Sequence, residues 1–195
     1  GYYRPHIPLY APKKYFDMYK GLNIKLPPVR EDDLNDLSPI ARKLALEAAT
    51  AGLHSTTIKH GQWQSAVKAY LACVTFVDAQ VGRLMATLDS SSQAKNTWVV
   101  IWSDHGWHLG EKQHWGKSTG WQRSTRVPLI ILPPKGDATG RFATDAACDN
   151  PVSLIDLYPT LLDLCGLPEG RKLAGQSLRP LLEKPVDKSN RLVVT

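Results

Sequence analysis

A regular spacing of apolar residues between positions 63 and 88 constrains the fold of this chain more than any other feature. Eight apolar side chains recur there at alternating intervals of four and three residues, the spacing that lines up side chains on one face of an α-helix. The pattern predicts a long helix with one buried face. The positions are Trp63, Val67, Tyr70, Val74, Val77, Val81, Leu84 and Leu88.

Two short apolar runs predict β-strands on either side of an irregular segment. Residues 97–102 are apolar on both parities and rich in β-forming side chains, as in a central strand that is covered on both faces. Residues 127–132 form the second run. Its internal Pro128 belongs among the first residues of a strand or at a sheet edge, because proline has no N–H to donate.

Helix boundary signals flank these strands. Ser38 followed by Pro39 predicts a helix that begins at the proline and runs toward Gly52. Ser153 is a helix N-cap before a leucine-rich run, and Gly166 is the residue that ends that helix.

The alternation of strands and helices defines the expected fold class. We predict an α/β fold with a mainly parallel sheet between helical layers. Five prolines break up the N-terminal region, so residues 1–38 are expected to form a loop-rich arm and residues 39–195 the α/β portion of the same single, incomplete domain. The chain opens without Met and ends on an apolar run, which predicts a fragment of a longer protein.

Composition narrows the possible partners. The 195 residues are 43% hydrophobic and carry a net charge of +6, which is globular composition with a preference for anionic partners. No zinc-finger spacing and no Lys/Arg-rich run points to nucleic acid, and no run approaches the ~18 apolar residues of a membrane span. The cysteines Cys73, Cys148 and Cys165 form no CxxC pair, so neither a disulfide framework nor a thiolate metal site is indicated.

The loop after the first predicted strand carries the strongest candidates for chemistry. Asp104 and His105 could give an oxygen and a nitrogen to one metal ion if Gly106 allows a sharp backbone turn. The alternative is that Asp104 caps the turn and His105 is a packing residue. Ligands collect outside the carboxyl ends of strands in open α/β sheets, and this position makes the pair a candidate metal site.

A basic stretch follows the Asp-His pair. Residues 105–118 contain three histidines and two lysines spaced by glycines, a pattern that suits a small tetrahedral oxyanion. Lys117 is the candidate for a sulfate or phosphate oxygen, and His108 or His114 could donate a hydrogen bond or move a proton. Far away in sequence, two prolines hold the backbone around His6 extended, which would aim its imidazole at little entropic cost.

These motifs resemble those of the type I sulfatases, a family in the alkaline phosphatase superfamily. The matching strings are residues 102–112 (WSDHGWHLGEK), 115–117 (WGK) and 125–130 (TRVPLI), and the likeness spans nearly the whole chain. Residues 4–8 (RPHIP) are similar to a segment of the iduronate-2-sulfatase-like branch. The resemblance implies a sulfatase-like fold and the hydrolysis of sulfate esters.

The resemblance also implies roles for individual residues. Asp104 and His105 stand where the family has ligands of a divalent cation, usually calcium, although an imidazole ligand by itself would favour zinc. Lys117 stands where the family binds sulfate, and His6 where a histidine beside the scissile ester protonates the leaving alcohol. His108 is expected to be a substrate-pocket residue.

The family's nucleophile is a formylglycine made from cysteine in a Cys-x-Pro/Ala-Ser-Arg motif, and none of the three cysteines fits it. We therefore expect the chain by itself to be inactive, as part of a longer enzyme or as a remnant. The implied substrate is a sulfated carbohydrate such as a uronate 2-sulfate, and the implied location is an exported one. Trp107, Trp115 and Trp121 could stack on sugar rings or lie in the core.

Two other functions remain open. A phosphodiester or phosphonate hydrolase of the same superfamily would use similar Asp-His metal ligands. A module without catalytic activity could bind sulfated glycans through basic side chains, for which the candidates are Arg4, Lys13, Lys14 and Lys117.

Overall fold

The computed structural model describes residues 1–47, 52–186 and 191–193. The chain divides into two compact units, one formed by Gly1–Ser92 with His105–Val127 and the other by Gln93–Asp104 with Pro128–Thr195. The first unit contains helices α1 (Lys13–Asp17), α2 (Pro39–Ala45), α3 (His54–Lys59), α4 (Trp63–Asp89) and α5 (Gln122–Thr125), and strands β2 (His108–Leu109) and β3 (Trp115–Gly116). The second contains β1 (Val99–Trp102), β4 (Leu129–Leu132), α6 (Leu157–Leu164) and α7 (Arg179–Glu183).

Helix α4 confirms the long helix predicted from the apolar spacing. Helix α1 packs on it, with the Tyr15 and Phe76 rings 5.3 Å apart and a 2.6 Å hydrogen bond between the hydroxyls of Tyr19 and Thr75. Only part of the predicted buried face is covered: Val67 is buried, whereas Val74 and Leu84 are exposed. The reason is geometric, because the five residues of α1 reach only a short part of a 27-residue helix.

By length and composition alone, α4 could cross a membrane. Charged side chains interrupt its apolar residues, so no uninterrupted apolar run predicts a membrane span at this position. A single helix of this kind is weak evidence for a membrane span, since core helices in water-soluble proteins pass the same test.

Helix α2 begins as predicted. The Ser38 hydroxyl accepts a 3.3 Å hydrogen bond from the backbone N–H of Ala41, and Pro39 occupies the first helical position, where its missing N–H costs nothing. The helix ends at Ala45. Part of its predicted extension toward Gly52, residues 48–51, lies outside the described residues.

The strand pair of the second unit is antiparallel, whereas the prediction of a mainly parallel sheet did not specify the direction of either strand. Strands β1 and β4 are antiparallel, with Val99 opposite Leu132 and Trp102 opposite Leu129. After β1 ends, the chain returns to the same end of that strand, and β4 then runs along β1 in the opposite direction. Among the described residues every strand pair is antiparallel, so the mainly parallel sheet is not seen there, while the alternation of helices and strands is.

The leucine-rich helix of the second unit has the predicted caps. The Asp156 carboxylate accepts a 2.9 Å hydrogen bond from the Ser153 N–H and the Ser153 side chain accepts in return, a reciprocal capping box. The first turn, Leu154–Asp156, is a 3-10 turn, and α6 continues from it. Gly166 follows the helix with φ +64°, a left-handed conformation that glycine adopts without strain.

Candidate functional site

Three of the side chains predicted from sequence meet within the first unit. The ammonium of Lys117 donates hydrogen bonds to His105 Nε2 at 2.8 Å and to His6 Nε2 at 3.2 Å. His6 and Lys117 are 111 positions apart in sequence. The fold therefore gathers one ammonium and two imidazoles from the N-terminal arm and the irregular loop, and we call these three residues the Lys117 cluster.

The His6 side of the cluster is held by its own arm. The His6 N–H donates to the Tyr3 carbonyl at 3.1 Å, closing a tight turn, and the Tyr3 hydroxyl donates to the Ile7 carbonyl at 2.8 Å. The Tyr3 and His6 rings lie 5.0 Å apart. Tyr3 thus contacts the imidazole from one side, and the backbone around His6 forms a turn and not the extended segment predicted from its prolines.

The His105 side depends on a close backbone approach. The Gly106 N–H donates to the Ser124 carbonyl at 2.8 Å, and a Cβ at position 106 would collide with the Arg123 carbonyl oxygen. Only glycine fits at this distance. The loop and α5 are therefore locked together at the residue that follows His105.

The tautomers of both imidazoles follow from their backbone partners. His6 Nδ1 lies 2.8 Å from the Ile7 carbonyl, and His105 Nδ1 lies 2.8 Å from the Gly106 carbonyl. A carbonyl can only accept, so each Nδ1 carries the hydrogen and each Nε2 presents a lone pair. Because an ammonium can only donate, both Nε2 atoms accept from Lys117, and no carboxylate among the described residues forms an ion pair with this ammonium.

Trp107 packs against both imidazoles of the Lys117 cluster. Its ring lies 5.5 Å from the His6 ring and 6.3 Å from the His105 ring, and the residue is only 9% exposed. Trp115 is also buried, at 5%. Both indoles belong to the interior, so of the three tryptophans proposed for sugar stacking only Trp121 retains intermediate exposure.

His108 lies inside the loop and not on a pocket wall. It is fully buried, its Nδ1 lies 3.0 Å from the Glu111 carbonyl, and its Nε2 lies 3.0 Å from the Thr119 hydroxyl. Both ring nitrogens are occupied, so the substrate contact predicted for His108 is not available in this arrangement. Burial lowers the pKa of the imidazole, against an opposing effect of the Glu111 carbonyl.

Two more buried histidines stabilise the loop. His54, which the sequence analysis missed, accepts a 3.0 Å hydrogen bond from the Trp115 indole, and burial lowers its pKa. His114 donates through Nδ1 to the Ala45 carbonyl at 2.7 Å. Gly110 has φ +122° and leaves no room for a Cβ beside the His54 ring. The sequence shows the glycine, but only the structure shows that it packs against His54.

Asp104 directly precedes His105 and is the last residue of the Gln93–Asp104 segment in the second unit. Among the described residues, no group of three or more His, Cys, Asp and Glu side chains is arranged to hold a metal ion. A cation held by the Asp104–His105 pair would therefore need further ligands. On His105 the ligand atom would be Nε2, which would have to exchange its hydrogen bond from Lys117 for the cation.

A cavity of about 410 Å³ lies beside the arm that carries His6. Three tyrosines and a guanidinium line its mouth, and Arg4 packs over the Tyr3 ring at 5.1 Å and the Tyr10 ring at 5.9 Å. Tyr3 thus contacts His6 on one side and lines the cavity on the other.

Comparison with known proteins agrees with the motifs. The family model described as Sulfatase matches residues 1–167. A sulfatase from Formosa agariphila is 39% identical over 94% of the chain and 35% of its own length. Iduronate 2-sulfatase from Homo sapiens is 32% identical over 86% of the chain and 35% of its own length.

Among solved structures, a phosphonate monoester hydrolase from Silicibacter pomeroyi superposes with a TM-score of 0.79 at 31% identity, covering 97% of this chain and 38% of that one. This similarity confirms the alkaline phosphatase superfamily fold as an incomplete domain. The chain spans about a third of the length of the curated relatives that it matches.

Proposed function

Since the chain belongs to the sulfatase family, we propose that the full-length protein hydrolyses sulfate esters. The observation that carries this proposal is the position of the Lys117 ammonium between two neutral imidazoles. A fixed cation whose charge is not neutralised by a carboxylate is the group that a sulfate oxygen requires, and it strengthens as charge develops in the transition state. Lys117 is therefore the sulfate-binding residue.

His6 is the proton donor to the leaving alcohol in this proposal. Its Nδ1 is committed to the Ile7 carbonyl, so Nε2 is the atom that faces the ester and exchanges the proton. Nε2 must therefore take up a proton before it can donate one, and it gives up its hydrogen bond from Lys117 when that ammonium turns to the sulfate oxygen. Tyr3 and Trp107 pack against the imidazole and hold its orientation. A catalytic group held in the reactive orientation raises the rate.

Asp104 and His105 would hold a divalent cation, calcium by family resemblance. Such a cation, when bound, neutralises charge on the sulfate oxygens and on the nucleophile. His105 would use Nε2, because the Gly106 carbonyl fixes the hydrogen on Nδ1, and a bound cation would replace the hydrogen bond from Lys117 at that atom. The formylglycine nucleophile of the family would come from a region other than these 195 residues, whose cysteines lack its motif.

The substrate class that we propose is a sulfated carbohydrate. The relatives include one named iduronate 2-sulfatase, and the cavity next to Tyr3 and Arg4 offers aromatic faces and a guanidinium, which suit a sugar ring that carries an anionic group. We also propose that the protein is exported, where such substrates are found.

A second candidate function is the hydrolysis of phosphonate or phosphate esters. The observation that favours it is the similarity to the phosphonate monoester hydrolase. The same ammonium and imidazoles would serve a tetrahedral phosphorus centre, because the oxyanion geometry is shared.

A comparison of two aryl esters tests the proposal. The full-length protein is assayed with 4-nitrophenyl sulfate and with 4-nitrophenyl phenylphosphonate, before and after treatment with EDTA and after Ca²⁺ is restored. We expect faster turnover of the sulfate, loss with EDTA and recovery with Ca²⁺, and no turnover by residues 1–195 alone. Faster turnover of the phosphonate would favour the second candidate, and turnover of neither ester would refute the proposed function.

A further inference from the structure

A chain of partly buried hydrogen bonds connects the two turns that carry His105 and Lys117. His108, at 0% exposure, lies 3.0 Å from the Thr119 hydroxyl. That hydroxyl lies 3.0 Å from the Ser124 hydroxyl, and Ser124 is itself buried. We call His108, Thr119 and Ser124 the hydroxyl relay.

The Glu111 carbonyl, at one end of the relay, determines which atom donates each of its hydrogen bonds. The Glu111 carbonyl can only accept, so His108 Nδ1 carries the hydrogen and Nε2 must accept from Thr119. Thr119 has then used its only hydrogen, so Ser124 must donate to it. A neutral imidazole with a single tautomer therefore orders two hydroxyls, and no alternative arrangement satisfies all of these groups without moving a proton.

The backbone of the relay residues holds the site on both sides. The Ser124 carbonyl accepts from the N–H of Gly106, the residue after His105, at 2.8 Å. The Thr119 N–H donates to the Lys117 carbonyl at 2.7 Å. The relay thus ties the turn of His105 to the turn of Lys117, whose side chains meet at 2.8 Å.

We propose that His108 is a positioning residue that acts through Thr119 and Ser124 to hold the turn of Lys117 at a fixed distance from the turn of His105. The proposal rests on the proposed function, because the distance that it fixes matters only if Lys117 binds the reacting oxyanion. His108 touches neither substrate nor metal in this role. If the relay is broken, the buried hydroxyls lose their partners, the two turns separate, and a displacement of about 1 Å at a catalytic group costs about 10²-fold in rate.

Variants of the relay test this role by kinetics. In the full-length protein, His108→Phe and Thr119→Val remove relay hydrogen bonds, while His108→Gln keeps one donor and one acceptor. We expect kcat for 4-nitrophenyl sulfate to fall about 10–10²-fold for His108→Phe and Thr119→Val, and to be largely restored in His108→Gln. Ser118→Ala, the exposed neighbour of Lys117, is the matched control and should leave kcat unchanged.

A double-variant cycle separates positioning from general loss of structure. In a Lys117→Ala background, Thr119→Val and His108→Phe should add less than about a twofold loss, because the group that they position is already gone. An equal loss in both backgrounds, or an unchanged kcat for Thr119→Val, would overturn the proposal. If His108→Phe does not fold, the kcat values of Thr119→Val and His108→Gln still test the positioning role.

A readout without turnover keeps this proposal separate from the proposed function. In the metal-free protein, the ring ¹⁵N shift of His105 Nε2 reports its hydrogen bond from Lys117. We expect that shift to change in Thr119→Val and to be unchanged in Ser118→Ala. Absence of any hydrolysis by the wild-type protein would refute the sulfatase function, whereas an unchanged His105 shift in Thr119→Val would refute the positioning role.

Discussion

The two units of the molecule secure their cations in different ways. In the first unit, Lys117 donates to two neutral imidazoles. In the second, Arg179 lies between the carboxylates of Asp163 and Glu183, and Arg191 donates to Asp156 at 2.6 Å. Lys117 is thus held by uncharged acceptors, whereas Arg179 and Arg191 are held by anions.

This difference distinguishes a cation that can bind an anion from cations that only connect segments of the chain. A carboxylate partner cancels the charge of an arginine and makes it a cross-link between segments. An imidazole partner fixes the position of an ammonium and leaves its charge for an incoming anion. The same contrast exists within the first unit, where the Lys112 ammonium pairs with Asp33 at 2.6 Å, five residues before Lys117.

The largest effect on stability is expected from Asp156→Ala. The buried Asp156 carboxylate accepts from the Gln176 N–H at 2.9 Å in addition to Arg191, so its removal leaves a mostly buried guanidinium unpaired. Breaking a buried pair from one side costs about 3–5 kcal/mol, measured as the free energy of unfolding in urea. Asp149→Ala, an exposed carboxylate of the same unit, should cost less than about 0.5 kcal/mol; equal losses would contradict the cross-link.

The largest effect on activity without loss of fold is expected from Lys117→Ala. Removal of one preorganised charge contact lowers kcat about 10²–10³-fold, measured with 4-nitrophenyl sulfate on the full-length protein. Lys112→Ala is the matched control, because its charge is already neutralised by Asp33, and it should retain most of its kcat. If the two lysine variants lose activity equally, the distinction between free and neutralised cations fails.

A smaller effect is expected when the His105 turn is forced open. Gly106→Ala places a methyl group against the Arg123 carbonyl, and overpacking of this kind costs about 1–3 kcal/mol. Both the melting temperature and kcat should fall. Gly120→Ala, in the same loop but with open space around it, should change neither; a tolerated Gly106→Ala would show that the close approach is dispensable.

The features predicted correctly from sequence are those that depend on neighbouring residues. Helix α4 follows from its own periodicity, and the start of the α6 region follows from the Ser153 cap. The direction of β4 depends on where a distant segment returns, which periodicity does not encode. His54 was missed for the same reason, since its partner Trp115 is 61 positions away.

Residues of the candidate site were predicted by two different routes. The Asp-His pair and Lys117 are candidates from residue chemistry alone, but the meeting of Lys117 with His6 was implied only by family resemblance. The relay role of His108 needed the structure, because an isolated histidine between a tryptophan and a leucine gives no sign of whether its nitrogens face solvent or the interior.

As the pH is lowered, the two units should lose stability at different pH values. Burial lowers the pKa values of His54 and His108 below the ordinary 6.5, so below that pH the unfolded chain binds more protons than the folded one, and stability falls as the pH decreases. The hydroxyl of Ser177 and the guanidinium of Arg179 lower the pKa of Asp163 below 3.8. Its contribution is therefore complete above pH 3.8 and is lost only as the pH falls further.

Hydrogen exchange of backbone amides, followed as the pH is lowered and corrected for the intrinsic pH dependence of exchange, measures this separation. We expect protection in residues 105–127 to decrease as the pH falls below 6.5, where the Asp163 carboxylate is still ionised, and protection in α6 and α7 to persist until the pH falls below 3.8. His54→Gln should weaken the first transition, whereas His60→Gln, which replaces an exposed imidazole, should leave it unchanged. Loss of protection in α6 before residues 105–127 would contradict the assignment, because buried neutral imidazoles must fail at a higher pH than paired carboxylates.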